Sequence, residues 1–143
     1  MTRIDFYLLS SDRTTARLEY ACRLAHKAWV KGHTVYLHCA SEDQATELDA
    51  LLWSFRADSF VPHGLHSDHP DEAVVCGSGE DPSPHHDLLI NVSNATPQFF
   101  SRFSRLAEII VEDDSVRVPA RDRFRFYRER GYPLKSHQIR VAQ

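Results

Sequence analysis

The chain has 143 residues, 42% of them hydrophobic and 26% charged, a composition that suits one globular domain around one core. No apolar run approaches the roughly 20 residues needed to cross a bilayer, and Met1-Thr2-Arg3-Ile4-Asp5 lacks the apolar stretch of a signal peptide, so the expectation is a cytoplasmic protein with no membrane partner. The net charge of −3 is unevenly spread: residues 1–116 hold 9 Lys and Arg against 18 Asp and Glu, residues 117–143 hold 8 against 2. An acidic body with a basic end speaks against a large phosphate footprint and for a compact negatively charged partner.

Taken in chain order, Ile4 to Leu9 is a short run rich in strand formers, and Ser10-Ser11-Asp12 after it can end a strand and cap a helix. From Thr14 to Lys31 the residues Leu18, Ala21, Cys22, Ala25 and Trp29 recur at helical spacing, with Gly32 placed to stop the helix. Thr34 to Cys39 reads as a second strand. Ser41 with Gln44 three residues on has capping-box spacing, opening a helix whose inner face is Ala45, Leu48 and Leu52. After Trp53 the pattern turns irregular, with short strands expected near Ala73–Cys76 and Asp87–Asn91 on either side of a mobile loop from Gly77 to His85. Gln98–Phe103 reads as a short helix, Leu106–Val111 as a strand, and Ser115–Arg130 as a last helix stopped by Gly131 and Pro133. Alternation of strand and helix predicts a single α/β domain over residues 1–143, a mostly parallel sheet with helices packed on it.

Such sheets often hold nucleotides, yet neither GxGxxG nor GxxxxGK[ST] occurs, and Gly77-Ser78-Gly79 is followed by Glu80 and Asp81, which would repel phosphate. No cofactor is expected. Five of the nine histidines lie between His63 and His86, without CxxC or HExxH spacing, so they read as solvated loop residues rather than metal ligands. Cys22, Cys39 and Cys76 are odd in number and set among apolar neighbours, which suits buried thiols. No nucleophile motif such as GxSxG is present, so no catalytic residue is assigned.

The last helix is the most informative. At about 100° per residue, Arg117, Arg121, Arg125 and Arg128 share one arc, and Ala120, Phe124 and Tyr127 the adjoining one. Four arginines in near-register repel one another unless something acidic sits between them. A second candidate surface is aromatic: Trp53, Phe55 and Phe60, with Val61 beside a proline-fixed turn.

Several stretches together resemble the chi subunit of bacterial DNA polymerase III holoenzyme. They are Phe6-Tyr7-Leu8-Leu9, Ala28-Trp29 before Gly32, Leu52-Trp53, Ser59-Phe60-Val61-Pro62-His63, Asp87-Leu88-Leu89-Ile90, Glu112-Asp113-Asp114-Ser115, and Ala120-Arg121-Asp122-Arg123-Phe124 running on to Tyr127-Arg128 and Gly131-Tyr132. The resemblance covers nearly the whole chain. It implies a nucleotide-binding-like fold without a phosphate loop, and a noncatalytic accessory subunit of the clamp-loader assembly. It further implies two partners: the acidic C-terminal tail of single-stranded-DNA-binding protein, and the psi subunit. The tail site would use Arg117, Arg121 and Arg125 with Ile110 as an apolar wall and Phe124 and Arg128 nearby; the psi site would use Phe60 and Trp53 with Phe55 and Val61. Single-stranded DNA would then be reached only indirectly. One rival is direct single-stranded nucleic-acid binding by the basic helix; another is an enzyme built on the histidine-rich loop.

Overall fold

The computed structural model describes residues 1–56, 60–79, 81–82 and 84–142. Ser59, Glu80 and Ser83, which fall within stretches named above, lie outside them. Seven strands form one sheet: β1 (Arg3–Leu9), β2 (Val35–His38), β3 (His63–Leu65), β4 (Val74–Gly77), β5 (Leu88–Asn91), β6 (Arg105–Ile110) and β7 (Leu134–Ile139). Their spatial order is β3-β4-β2-β5-β6-β1-β7, and every pairing is parallel. Among the described residues three α-helices, α1 (Thr14–Val30), α2 (Glu42–Ser54) and α3 (Asp114–Glu129), accompany them, with one turn of 3-10 helix at Phe100–Arg102 where a short helix was expected.

The central strands are nearly continuous buried apolar runs, broken only at their ends by half-buried His38 and buried Asn91, as a sheet covered on both faces requires. Alternation within β1 shows which helix lies where. The Phe6 ring meets Phe124 and Tyr127 of α3 at centroid distances of 5.2 and 6.1 Å, while the next residue, Tyr7, meets Tyr20 of α1 at 5.5 Å. Helices α1 and α2 pack against each other and cover one face; α3 covers the other, joined by Phe99, Phe100 and Phe103 from the segment between β5 and β6.

The expected α/β fold, a parallel sheet with helices packed on it, is present. Ser41 caps α2 through the Gln44 amide at 3.1 Å, and the Gln44 side chain reaches back to the Ala40 amide at 2.7 Å. The α1 start differs: Arg13 occupies the cap position without a side-chain capping bond, and Ser11 instead accepts from the Arg13 amide at 3.2 Å. Gly32 and Gly131 follow α1 and α3 in the left-handed region, φ 88° and 83°, where a side chain would be strained. Two strands escaped the sequence pattern. β3 is three residues long in a histidine- and proline-rich stretch, and β7 is an edge strand whose mixed sequence, Leu134-Lys135-Ser136-His137-Gln138-Ile139, buries no residue fully.

The histidines of the 63–86 stretch are not uniformly solvated. His63 places Nδ1 2.7 Å from the Val61 carbonyl and Nε2 3.0 Å from that of Asp49, and buried His85 reaches the Glu72 carbonyl at 2.7 Å. Both pin loop backbone whose polar groups need partners. Among the described residues no three His, Cys, Asp or Glu side chains converge as a metal-binding set, and no helix is long and apolar enough to cross a membrane. Cys22, Cys39 and Cys76 are buried free thiols, and burial pushes the first two up to about 12.

Candidate functional site

The carboxyl ends of β1, β6 and β7 and the first three turns of α3 border a cavity of about 380 Å³. Parallel α/β sheets leave their crevices at this end of the strands. Its apolar lining comes from Leu8 and Leu9 of β1, Ile110 and Val111 at the end of β6, and Phe124 of α3; Arg117 and Arg121 stand on the helical side, Ser136 and Gln138 on the β7 side. Phe124 is held in place by the edge of Phe6, 68° between ring planes. Glu112 is the acidic member of the lining.

Local sequence explains how α3 presents this face. Asp113 caps the helix, accepting from the Ser115 amide at 2.8 Å and its hydroxyl at 2.7 Å, and those bonds hold its carboxyl below the usual carboxylate range. Helical spacing then turns Val116, Ala120, Arg123 and Tyr127 inward. Arg117 and Arg121 follow one residue later on the rim of the cavity.

The arginine row is less uniform than its spacing suggests. Arg117 already pairs with Asp114 at 2.9 Å, and Arg125 with Asp122, both one turn back. Arg128 lies over the Phe124 ring, 5.8 Å from its centroid. Arg121 is exposed and makes no ion pair with a described residue. Arg117 keeps its Nε buried without a hydrogen-bond partner among the described residues. Of the six residues expected at the tail site, Ile110, Arg117, Arg121 and Phe124 line the cavity; Arg125 and Arg128 continue along the helix outside it.

The aromatic surface lies at the other side of the sheet, by α2 and β3. Trp53 and Phe60 are 59% and 63% exposed with ring centroids 5.7 Å apart, and His63 packs on Trp53 at 4.6 Å. Two large exposed rings in contact form a patch of the anchoring kind. Phe55 is half-buried with its ring 6.1 Å from His26. Val61 is 1% exposed, a core residue beneath the patch with no face to offer a partner.

Sequence reasoning missed what holds α3 down. Arg123, on the inner face, forks onto Glu108 of β6 with bonds of 3.1 and 3.0 Å. Tyr127 donates to the same carboxylate at 2.8 Å, and Asn91 of β5 at 3.0 and 3.2 Å. Glu108 is wholly buried. Burial, then the neighbouring Glu108 charge, drives the Tyr127 hydroxyl far above its ordinary value, so it remains a donor. Arg17 of α1 is buried too, donating to the Ile109 and Ser93 carbonyls at 2.7 and 2.8 Å and to Asn94 at 3.1 Å; burial brings it down to about 10, still a cation at neutral pH. The signal available in advance was the phase of Arg123, in line with Ala120 and Tyr127 rather than with the arginine row.

Comparison with known proteins adds sequence and fold relatives. The family model described as "DNA polymerase III chi subunit, HolC" matches residues 1–135. A Pseudomonas aeruginosa protein named DNA polymerase III subunit chi is 53% identical over 139 residues, covering 97% of this chain and 98% of that one. Proteins of the same name from Haemophilus influenzae and Escherichia coli are 32% and 31% identical, covering 94% and 95% of this chain and 96% and 97% of theirs. Among solved structures, T4 UvsW superposes with a TM-score of 0.69 at 10% identity over 99% of this chain and 42% of its own, and the Mss116p DEAD-box helicase domain 2 with 0.60 at 10% identity over 97% and 64%. At that identity the likeness is one of fold alone, a shared α/β architecture.

Proposed function

The chain belongs to the DNA polymerase III chi subunit family, and from that premise we propose that it is a noncatalytic tether. Its α3 cavity takes the acidic C-terminal tail of single-stranded-DNA-binding protein, and its Trp53–Phe60 patch takes the psi subunit of the clamp loader. The observation that carries the first assignment is the pairing of chemistries in one cavity. Apolar Ile110 and Phe124 stand beside Arg117, whose Nε is buried without a hydrogen-bond partner among the described residues, and beside Arg121, which makes no ion pair with any of them. A peptide end bearing carboxylates and an apolar side chain satisfies both halves. The second assignment draws its support from two touching, exposed rings with no structural need to be exposed.

Arg125 and Arg128 contribute long-range attraction rather than contact, since they continue along the helix outside the cavity. Direct DNA binding by the same helix is disfavoured because the rest of the chain, residues 1–116, holds 18 Asp and Glu against 9 Lys and Arg and would repel an extended phosphate backbone. Titration of a synthetic tail peptide is the test. Arg117→Ala or Arg121→Ala should each weaken binding by roughly fivefold at low salt, with the effect shrinking as salt rises. Unchanged affinity in the Arg117→Ala/Arg121→Ala double variant would overturn the assignment.

A further inference from the structure

A second concentration of positive charge lies far from α3 in the fold. Arg23, His26, Lys27, Val30 and Lys31 of α1, together with Arg56 just past α2, surround an open depression of about 590 Å³. Arg23, Lys27 and Val30 fall at i, i+4 and i+7, one stripe of the helix, and all are exposed, Val30 to 64%. Every ionisable residue around the depression is a potential cation. This is unexpected in the acidic part of the chain, where residues 1–116 hold twice as many acids as bases. Arg23, Lys27 and Lys31 make no ion pair with a described residue, unlike Arg117 and Arg125. The C-terminal end of a helix welcomes cations, which accounts for Lys27 and Lys31; it does not account for Arg23, two turns from that end, or for Arg56 on another element.

We infer that this depression is a docking site for an acidic segment of a partner protein carrying an apolar side chain that seats on Val30. The charge pattern around it favours a short polypeptide over a nucleic-acid strand. Further along the α1–α2 groove the lining turns acidic, with Glu19 and Glu47 beside Thr15 and Ala50. A polyphosphate chain tracking the groove would meet those carboxylates within a few nucleotides, whereas a polypeptide can change charge along its length. Continuity points the same way: the His26 ring contacts Phe55, which joins Trp53 at the end of α2 to Arg56. The cationic depression and the exposed Trp53–Phe60 pair thus form neighbouring parts of one surface, and a segment anchored on the rings has a cationic lane to follow. The inference is independent of the tail assignment on α3.

The test uses full-length ¹⁵N-labelled protein carrying Arg117→Ala and Arg121→Ala, so that the α3 cavity is disabled. It is titrated with a synthetic peptide of aspartates and glutamates around one leucine, and in parallel with an oligothymidylate. The expected result is peptide-dependent shifts at the amides of Arg23, His26, Lys27, Val30 and Lys31. Charge reversal by Arg23→Glu and Lys27→Glu should weaken the peptide by about tenfold while leaving the melting temperature in place. Shifts confined to other elements, or affinity indifferent to charge reversal, would overturn the inference. So would oligothymidylate binding more tightly than the peptide, which would make nucleic acid the occupant.

Discussion

Helix α3 carries arginine on two faces, and the two do opposite jobs. Outside, Arg117, Arg121 and Arg125 are partly or largely exposed, paired at most with an aspartate one turn away. Inside, Arg123 is 3% exposed and forked onto a carboxylate that is wholly buried. The same side chain is thus a replaceable contact in one register and an anchor in the other. Solvent decides which. An exposed pair is screened by water and is worth about 0.2–1 kcal/mol, but a buried guanidinium or carboxylate stripped of its partner is left with several kcal/mol of uncompensated desolvation.

The largest predicted effect breaks that contrast at its strong end. Arg123→Met should cost about 3–5 kcal/mol, because Glu108 would keep only Tyr127 and Asn91 as donors and lose its bonded counter-charge, leaving Arg17 as a more distant one. Arg121→Ala should stay within about 0.5 kcal/mol of the parent. Urea unfolding followed by circular dichroism measures both. Adding Glu108→Leu to Arg123→Met should recover much of the loss, since the penalty comes from a charge without a partner rather than from a missing attraction. A double variant as unstable as the single one would show instead that the network is needed for its hydrogen-bond geometry.

Phe124 lies between the two faces and gives a smaller, mixed effect. Its ring packs on Phe6 from the inside and walls the cavity from the outside. Phe124→Ala should cost about 1–3 kcal/mol of stability, less than full core truncation because the ring is only half-buried. It should also weaken the tail peptide with no change in salt dependence, the reverse of what loss of an arginine does. Parallel titrations at two salt concentrations separate the apolar from the ionic part of the site.

How far these distinctions were legible beforehand follows from the same physics. Parallel order and most of the elements could be read because strands covered on both faces write short continuous apolar runs, and amphipathic helices write their burial into a period of 3.6 residues. The exposed arginines and Phe124 were found by that route too. Arg123 escaped because a charged residue on the inner face looks like a lapse in the pattern until its partner is seen, and Glu108 is fifteen residues away in the chain. Strand β7 escaped for a related reason: an edge strand buries little, so Lys135, Ser136 and Gln138 wrote no alternation strong enough to read. Arg17 reads as surface charge on a helix and is in fact a buried donor to three acceptors. Side chains whose partners are distant in sequence leave no local trace.

Asp5 supplies the intermediate case, and with it the smallest effect. It sits on β1 with its side chain on the sheet face opposite Phe6, bound to His137 of β7 at 2.8 Å and to Arg105 of β6 at 3.1 Å. The Asp5 side chain is largely buried, but His137 and Arg105 are 38% and 41% exposed, so water screens the group far more than it does Glu108. Burial alone would raise the Asp5 carboxyl; the hydrogen bonds from His137 and Arg105 outweigh it and hold the group below 3.8. A carboxyl whose folded value lies below its unfolded one binds fewer protons when folded, so its contribution to stability is present above the unfolded value and fades as pH falls through the folded one. Asp5→Asn should therefore cost about 1 kcal/mol or less at neutral pH, with the difference between parent and variant closing only below pH 3.8. Because His137 is the β7 side of this cluster, the loss should appear first as faster amide exchange along Leu134–Ile139, ahead of any change in the core strands. A difference that instead stayed constant down to acid pH would mean that Asp5 acts by shape and hydrogen bonding alone. The ordering from buried fork to screened cluster to exposed row would then need a cause other than solvent access.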